Sequence, residues 1–472
     1  MEKKKKSNFS GSLGFVLAAA GSAVGVGNIW RFPYLAAQDG GGLFLIVYLV
    51  LVMTFGFTLL TTDVAIGRRT REHALRAFGT MDRRWRFLGW ITFLVPAMIM
   101  TYYTVIGGWV TKYFVTYLTG NGVQAAQDGY FTSFITAPVA PVVFMLLFLA
   151  ATAFIVYRGV EKGIEKFSRI VMPGLFLLII GIAVFSLTLR VSDGENVRTG
   201  LQGLAVYLIP NLEGITPGRF LEILLDAMSQ IFFSLSVSMG IMITYGSYVK
   251  RDVDLGKSLG RIEFFDTFVA FLAGMMIIPA VYVFSGTEGM SAGPGLMFVS
   301  LPKVFEAMGP VGGIVGLAFF LMVIFATLTS SVSILETLVA NCMERFHWDR
   351  KKMCLTITVL AAVGAVVICM GYNVFYFEVT LPTGKAGQQL LDVVDYISNS
   401  FLMPAISLLT CIFVGWVMKP KWIIEEMEAS GHTFRRKGLY TVMLRYVTPV
   451  MMLILFLQST GVFHLIGRWL GA

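Results

Sequence analysis

Eleven apolar runs recur along this 472-residue chain, each long enough to cross a hydrocarbon core about 30 Å thick with roughly 20 helical residues. They fall at 11–37, 41–66, 88–118, 137–157, 168–189, 219–248, 262–285, 309–343, 353–371, 389–418 and 443–466. Such a chain folds in a bilayer. Its composition agrees, because 56% hydrophobic against 14% charged residues is a balance that water-soluble cores do not reach. The fold class expected is an all-α polytopic membrane protein.

The formal net charge of +9 is unevenly placed. With the N-terminal "KKKK" inside, the connections on that side hold 28 of the 37 Lys and Arg, and the opposite connections hold six. The positive-inside rule then makes the N-terminus cytoplasmic, and an odd number of spans leaves the C-terminus external. The excess charge lies beside anionic lipid, so no nucleic-acid partner is implied. The first run follows a lysine cluster but is too long and too broken by polar residues for a signal peptide, and it lacks a clear cleavage site. Cys342, Cys354, Cys369 and Cys411 lack the paired spacing of a zinc site. His73, His347 and His432 fall in connections and His464 near the end of the last run. With no histidine meeting an acid or a serine at mid-membrane, an intramembrane hydrolase is disfavoured and the chain reads as a non-enzyme.

Within the first run, "GSAVGVGNIWRFPY" (21–34) places three glycines, an asparagine, an arginine and a proline where a spanning helix is expected. Unwound backbone is tolerated at that depth only where it is buried in protein or lines a cavity. The sixth run, "SQIFFSLSVSMGIMITYGSYV", has its own interruption at Ser234, Ser236, Ser238 and Gly240. Two broken helices five runs apart point to an inverted repeat and to a secondary transporter whose site lies between the breaks. Freed N–H groups there suit an anionic group, and freed carbonyls suit a cation. The bland alternative is that the glycines serve close helix packing.

Together "GSAVGVGNIWRFPY", "SQIFFSLSVSMG", "TYGSYV" and "ATLTSSVS" resemble the neurotransmitter:sodium symporters, in particular the short bacterial amino-acid branch. The resemblance covers nearly the whole chain. It implies a five-plus-five inverted-repeat fold with unwound helices 1 and 6, divided as a cytoplasmic tail (1–10), a first repeat (11–189), an extracellular loop (190–218), a second repeat (219–418), a cytoplasmic loop (419–442), and helix 11 with an external C-terminus (443–472). It also implies a multi-pass protein of the bacterial inner membrane, compatible with a monomer, that imports a neutral, hydrophobic L-amino acid by alternating access. The rivals are a chloride-dependent symporter of a non-α amino acid, and a non-transporting receptor or channel on the same fold.

By that resemblance the first sodium ion is held by the Ala23 carbonyl, Asn28, Ser234, Asp266 and the substrate carboxylate. The second is held by the Gly21, Val24 and Ala326 carbonyls with the hydroxyls of Thr329 and Ser330. Read as residues alone, adjacent Thr and Ser on an apolar helix either serve a small cation or bond back to their own helix carbonyls. The resemblance assigns the substrate's charged groups to Ala23, Val26, Gly27, Phe233, Ser236 and the Tyr103 hydroxyl, and its side chain to Ile99, Tyr103, Phe233, Met239, Ser330 and Ile334. Gly25 stands where amine-carrying relatives have an aspartate, which implies substrates that bring their own carboxylate.

The same resemblance makes Arg31 and Asp395 an outer gate, with Asp392 nearby and Phe233 and Tyr103 as a lid. It makes Tyr248 and Glu344 an inner gate with the N-terminal tail, where Lys6 and Phe9 replace the family's Arg and Trp. Gly163 and Pro173 match a spacing at which helix 5 unwinds, and Asp63 should bond the unwound part of helix 6. Glu336 has no assigned role. Two sodium ions are expected, without a prosthetic group. Chloride is not expected, because Ala270 stands where chloride-using relatives add a helix-7 serine to Tyr48, Gln230 and Ser234, and Asp266 could supply the negative charge instead.

Overall fold

The computed structural model describes residues 8–193, 196–286, 289–290 and 293–462. Lys6, the end of the chain beyond residue 462 and the side on which that end lies are outside the described residues. The chain begins with a pair of helices, α1 (Ser12–Ala23) and α2 (Gly27–Gln38), bent by 55°. There follow α3 (Gly42–Thr70), the short α4 (Ala74–Met81), α5 (Arg83–Leu118), α6 (Ala140–Tyr157) and α7 (Val160–Thr188). The antiparallel strands β1 (Arg190–Asp193) and β2 (Asn196–Thr199) and helix α8 (Gly200–Leu208) occupy much of the stretch expected as a plain loop.

A second broken pair, α9 (Pro217–Ser234) and α10 (Ile241–Ser247), leads to α11 (Leu255–Ser285), the elbow helix α12 (Leu301–Ala307), α13 (Pro310–Phe346), α14 (Arg350–Met370) and α15 (Leu390–Val417). After a short helix α16 (Lys421–Met427), α17 (Lys437–Ser459) is the last described helix. Nine of these helices are continuous and long enough to cross a membrane among the described residues, and the bent first pair is a tenth candidate. The fifth starts at Val160 rather than near 168, because the charged "VEKGIEK" is wound into a wide turn at its head.

Burial separates the centre from the rim. α5 and α11 bury 67% of their most apolar stretch, whereas α6, α14 and α17 bury 33%, so the former are central and the latter present leucine and valine outward, as lipid-facing helices do. Inside, polar groups are set within the apolar core: Asn28, Asp63, Gln230, Ser234, Asp266, Thr329, Ser330 and Glu336 are all buried. In a low-dielectric interior such groups are expensive unless they pair or serve a purpose.

Both breaks have a local cause. α1 ends at Ala23 because Val24 is extended, with ψ 96°. The chain resumes at Gly27–Arg31 as a wide, π-type turn. Between α9 and α10 three alternate residues, Ser236, Ser238 and Gly240, take φ of 52°, 62° and 75°. Left-handed backbone at two serines is strained, and it persists only where surrounding bonds fix it. Here Asp63 Oδ2 accepts the Ser238 N–H at 2.8 Å, the bond expected of Asp63.

Candidate substrate and sodium sites

The freed ends of the two broken helices face each other. The Ser22 carbonyl, left without a helical partner, accepts the Ser236 hydroxyl at 3.1 Å and the Ser330 hydroxyl at 3.1 Å. Gln230 Nε2 donates to the Gly27 carbonyl at 3.2 Å. α1, α9 and α13 are thereby tied at one depth.

Beside this junction lies a buried polar cluster. Asp266 Oδ1 accepts Asn28 Nδ2 at 2.8 Å and the Ser234 hydroxyl at 2.6 Å, and Oδ2 accepts the Tyr48 hydroxyl at 3.4 Å. Ser234 also reaches Asn28 Oδ1 at 3.2 Å. Three residues expected at the first sodium therefore converge, and the fourth, Ala23, lines the adjoining cavity. An array of carboxylate, amide and hydroxyl oxygens is the hard donor set a small cation takes. Ala270, one turn beyond Asp266 on α11, is wholly buried and brings no polar atom.

The residues expected at the second sodium meet where α1 crosses α13. Ser330 Oγ donates to the Val24 carbonyl at 3.4 Å and to the Ala326 carbonyl at 3.2 Å. Thr329 Oγ1 donates to Ala326 at 2.9 Å and Phe325 at 3.0 Å. Both readings of these hydroxyls thus have a geometric basis, since they bond back to their own helix while facing the freed end of α1. The crossing is tight: a Cβ at Gly21 would lie 3.3 Å from Thr329 Cβ and 3.3 Å from Met172 Sδ.

The cavity between the two clusters is lined by Ser22, Ala23, Gly25, Ile99, Tyr103, Phe233, Ser236, Met239, Ile241, Ser330 and Ile334. Of the expected substrate residues, Val26 and Gly27 are the two outside this lining. Gly27 instead underlies the Phe233 ring, where a Cβ would sit 2.3 Å from Cδ1. Ser22 and Ile241 were not singled out from sequence. Their only signal there is adjacency to the breaks. The Tyr103 hydroxyl is buried beside the Ser330 side chain and the Val26 backbone, with no acceptor in good hydrogen-bond geometry, and a Cβ at Gly25 would lie 3.2 Å from it.

Arg31 donates to Ser229 Oγ at 2.9 Å, and Asp395 is held by Asn399 Nδ2 at 2.6 Å. The adjoining plug is aromatic: Phe298, in the elbow before α12, packs on Trp30, Trp109, Tyr113 and Phe131. At the other end, Tyr248 donates to Glu336 Oε1 at 2.6 Å rather than to Glu344, whose Oε2 accepts the His73 N–H at 3.1 Å. Glu336, without a role in the sequence reading, is paired with Arg350 of α14. Phe9 caps this end, packing on Phe15, Tyr245 and Tyr248. Gly163 and Pro173 both lie in wound helix here.

Two interrupted helices that enclose a polar cluster and an apolar cavity define a membrane transporter of the broken-helix class. The model of the sodium:neurotransmitter symporter family matches residues 6–128 and 131–467, and the chain belongs to that family. It is a sodium-dependent symporter and not an enzyme. An uncharacterized sodium-dependent transporter of Bacillus subtilis (strain 168), YhdH, is 34% identical over 469 residues, covering 98% of this chain and 99% of the relative. Another, from Haemophilus influenzae, is 30% identical over 472 residues, covering 97% and 98%. Among solved structures, that of MhsT in complex with L-phenylalanine superposes with a TM-score of 0.84 at 35% identity, covering 96% of this chain and all of that one.

Proposed function

We propose that this symporter imports neutral, apolar L-amino acids across a bacterial plasma membrane by alternating access between two five-helix repeats, with two sodium ions and without chloride. The observation that carries the reading is the cavity itself. Ile99, Phe233, Met239, Ile241 and Ile334 offer a side chain no charged partner, Gly25 leaves room at the polar end, and the Tyr103 hydroxyl has no acceptor in good hydrogen-bond geometry. A substrate carboxylate placed there would meet Tyr103 and the freed N–H groups after Val24, next to the cluster of Asn28, Ser234 and Asp266. MhsT is bound to L-phenylalanine in its solved structure, which is a substrate of this class. Arg31, Asp395, Tyr248 and Glu344 would gate the two sides.

The test is competition of all common amino acids against labelled L-phenylalanine in reconstituted vesicles, with an inward sodium gradient and with sodium replaced by choline. Accumulation driven by sodium and blocked by leucine, tryptophan or methionine supports the reading. Preference for lysine, glutamate, a γ-amino acid or a decarboxylated amine would overturn it.

A further inference from the structure

Away from the cavity, the first turn of α1 is tied to the head of α7 by a carboxylate with no part in the sites above. Glu165 is 2% exposed and closes the wide turn Val160–Glu165. Its Oε2 accepts the Ser10 N–H at 2.9 Å, and its Oε1 accepts Arg169 Nη2 at 2.6 Å and the Ser10 hydroxyl. Arg169 also donates to Ser10 Oγ at 2.8 Å, which closes a three-membered ring of bonds. The carboxylate lies so close to α1 that a Cβ at Gly14 would stand 2.2 Å from its Oε1. α1 has no side-chain cap of its own, so the negative charge beside its positive end comes from α7.

We propose that Glu165, with Ser10 and Arg169, is a latch that positions α1 during the transport cycle. It holds the N-terminal half of the broken first helix against α7, and its release frees that half to move. α1 carries Gly21, Ser22 and Ala23, so displacing it dismantles both candidate sodium sites and one wall of the cavity together. The latch is built to open: the Arg169 side chain is 47% exposed, so water competes for it, whereas the Glu165 side chain at 3% loses the Ser10 bonds only if α1 moves. Ser10 is exposed as well. A second tie, Ser12 Oγ to Ser258 Oγ at 3.0 Å, links α1 to α11 through neutral hydroxyls and is the weaker of the two. None of the three latch residues touches the cavity, so they are positioning residues.

The inference rests on the alternating-access reading. Both of its readouts use sodium without substrate, so a wrong substrate class would leave them unaffected. In the full-length protein in nanodiscs with saturating sodium, Glu165→Gln removes the charge at constant size, Ser10→Ala removes the hydroxyl bonded to both Glu165 and Arg169, and Arg169→Lys keeps the pair. Hydrogen exchange across residues 12–20 is expected to quicken about tenfold in the first two variants, and apparent sodium affinity in thermal-shift titrations to fall by a similar factor, because the binding-competent state is less populated. Exchange in α5 and α11 should not change, and Arg169→Lys should stay within about twofold of the parent. Parent-like α1 exchange and sodium affinity in Ser10→Ala, a substitution at an exposed position, would overturn the latch even if Glu165→Gln proved unstable.

Discussion

Asp266 is the residue on which the ion chemistry turns. The Asp266 carboxylate, bonded to Asn28 at 2.8 Å and Ser234 at 2.6 Å, would place a negative charge where the first sodium is proposed to bind, and a bound cation within about 4–6 Å favours the ionised form. Ala270 supplies no hydroxyl one turn on, so on the proposed reading the Asp266 carboxylate stands in for the charge of chloride. Uptake should therefore be equal in gluconate and chloride. Asp266→Asn with Ala270→Ser should bind sodium at least about tenfold more weakly, as loss of a charged ligand implies, and should regain part of its uptake when chloride is added. A parent that loses most of its uptake in gluconate would refute the argument. Glu336 carries a separate prediction. It is wholly buried between Tyr248 and Arg350, so Glu336→Ala strands the guanidinium and should cost about 3–5 kcal/mol. Tyr248→Phe removes one hydrogen bond to a charged group and should cost about 1.5–3 kcal/mol. Thermal unfolding of the two purified variants checks the order.

At the scale of elements, the sharpest constraint is the crossing of α3 with α10, where the backbones touch. A Cβ at Gly67 would lie 1.9 Å from the Ile243 carbonyl oxygen, and one at Gly246 would lie 2.3 Å from that of Val64. No side-chain rotation relieves a clash with backbone. Gly67→Ala should therefore destabilise by at least about 1–3 kcal/mol, while Gly181→Ala on α7, with nothing within 4 Å, should leave the melting temperature within a degree or so of the parent or raise it. The elements were legible in the sequence where hydropathy alone decides. The apolar runs mark the long helices, and Gly or Ser clusters inside them mark the breaks, because glycine takes left-handed φ freely and serine hydroxyls compete for freed backbone groups. The head of α7 was not legible, since "VEKGIEK" reads as a solvated loop until Ser10 and Arg169 are seen to satisfy Glu165. The partner of Tyr248 was missed for a similar reason. Glu336 and Glu344 share α13, and nothing local says that Arg350, from the next helix, holds the first of them. Nor does periodicity show that α16 clamps the end of α3, where the fully buried Arg68 bonds Glu426 at 2.6 Å and the Val253 carbonyl at 2.7 Å.

At the scale of the whole molecule, coupling follows from shared parts rather than from distance. Ser330 lines the cavity, bonds the Ser22 carbonyl and reaches the Val24 carbonyl, so the proposed second sodium site and the substrate wall include one side chain. Ser236 joins the other broken helix to the same Ser22 carbonyl. An ion that fixes these carbonyls thus fixes the substrate site, and a substrate carboxylate beside Asn28 and Ser234 would in turn complete the first ion site. Such coupling is reciprocal by thermodynamic necessity and is typically about 1–3 kcal/mol, or about 5–150-fold in affinity. Replacing sodium by choline should weaken equilibrium binding of L-phenylalanine by a factor in that range, and saturating L-phenylalanine should tighten sodium by the same factor. Thr329→Ala with Ser330→Ala should shrink both factors together, because the double variant removes the hydroxyls at the α1 and α13 crossing while leaving Asp266 in place. Isothermal titration of each ligand in the presence and absence of the other measures the two factors independently. Reciprocity holds whatever the mechanism, so the test lies in the size of the factor: a substrate affinity indifferent to sodium would remove the physical basis of symport.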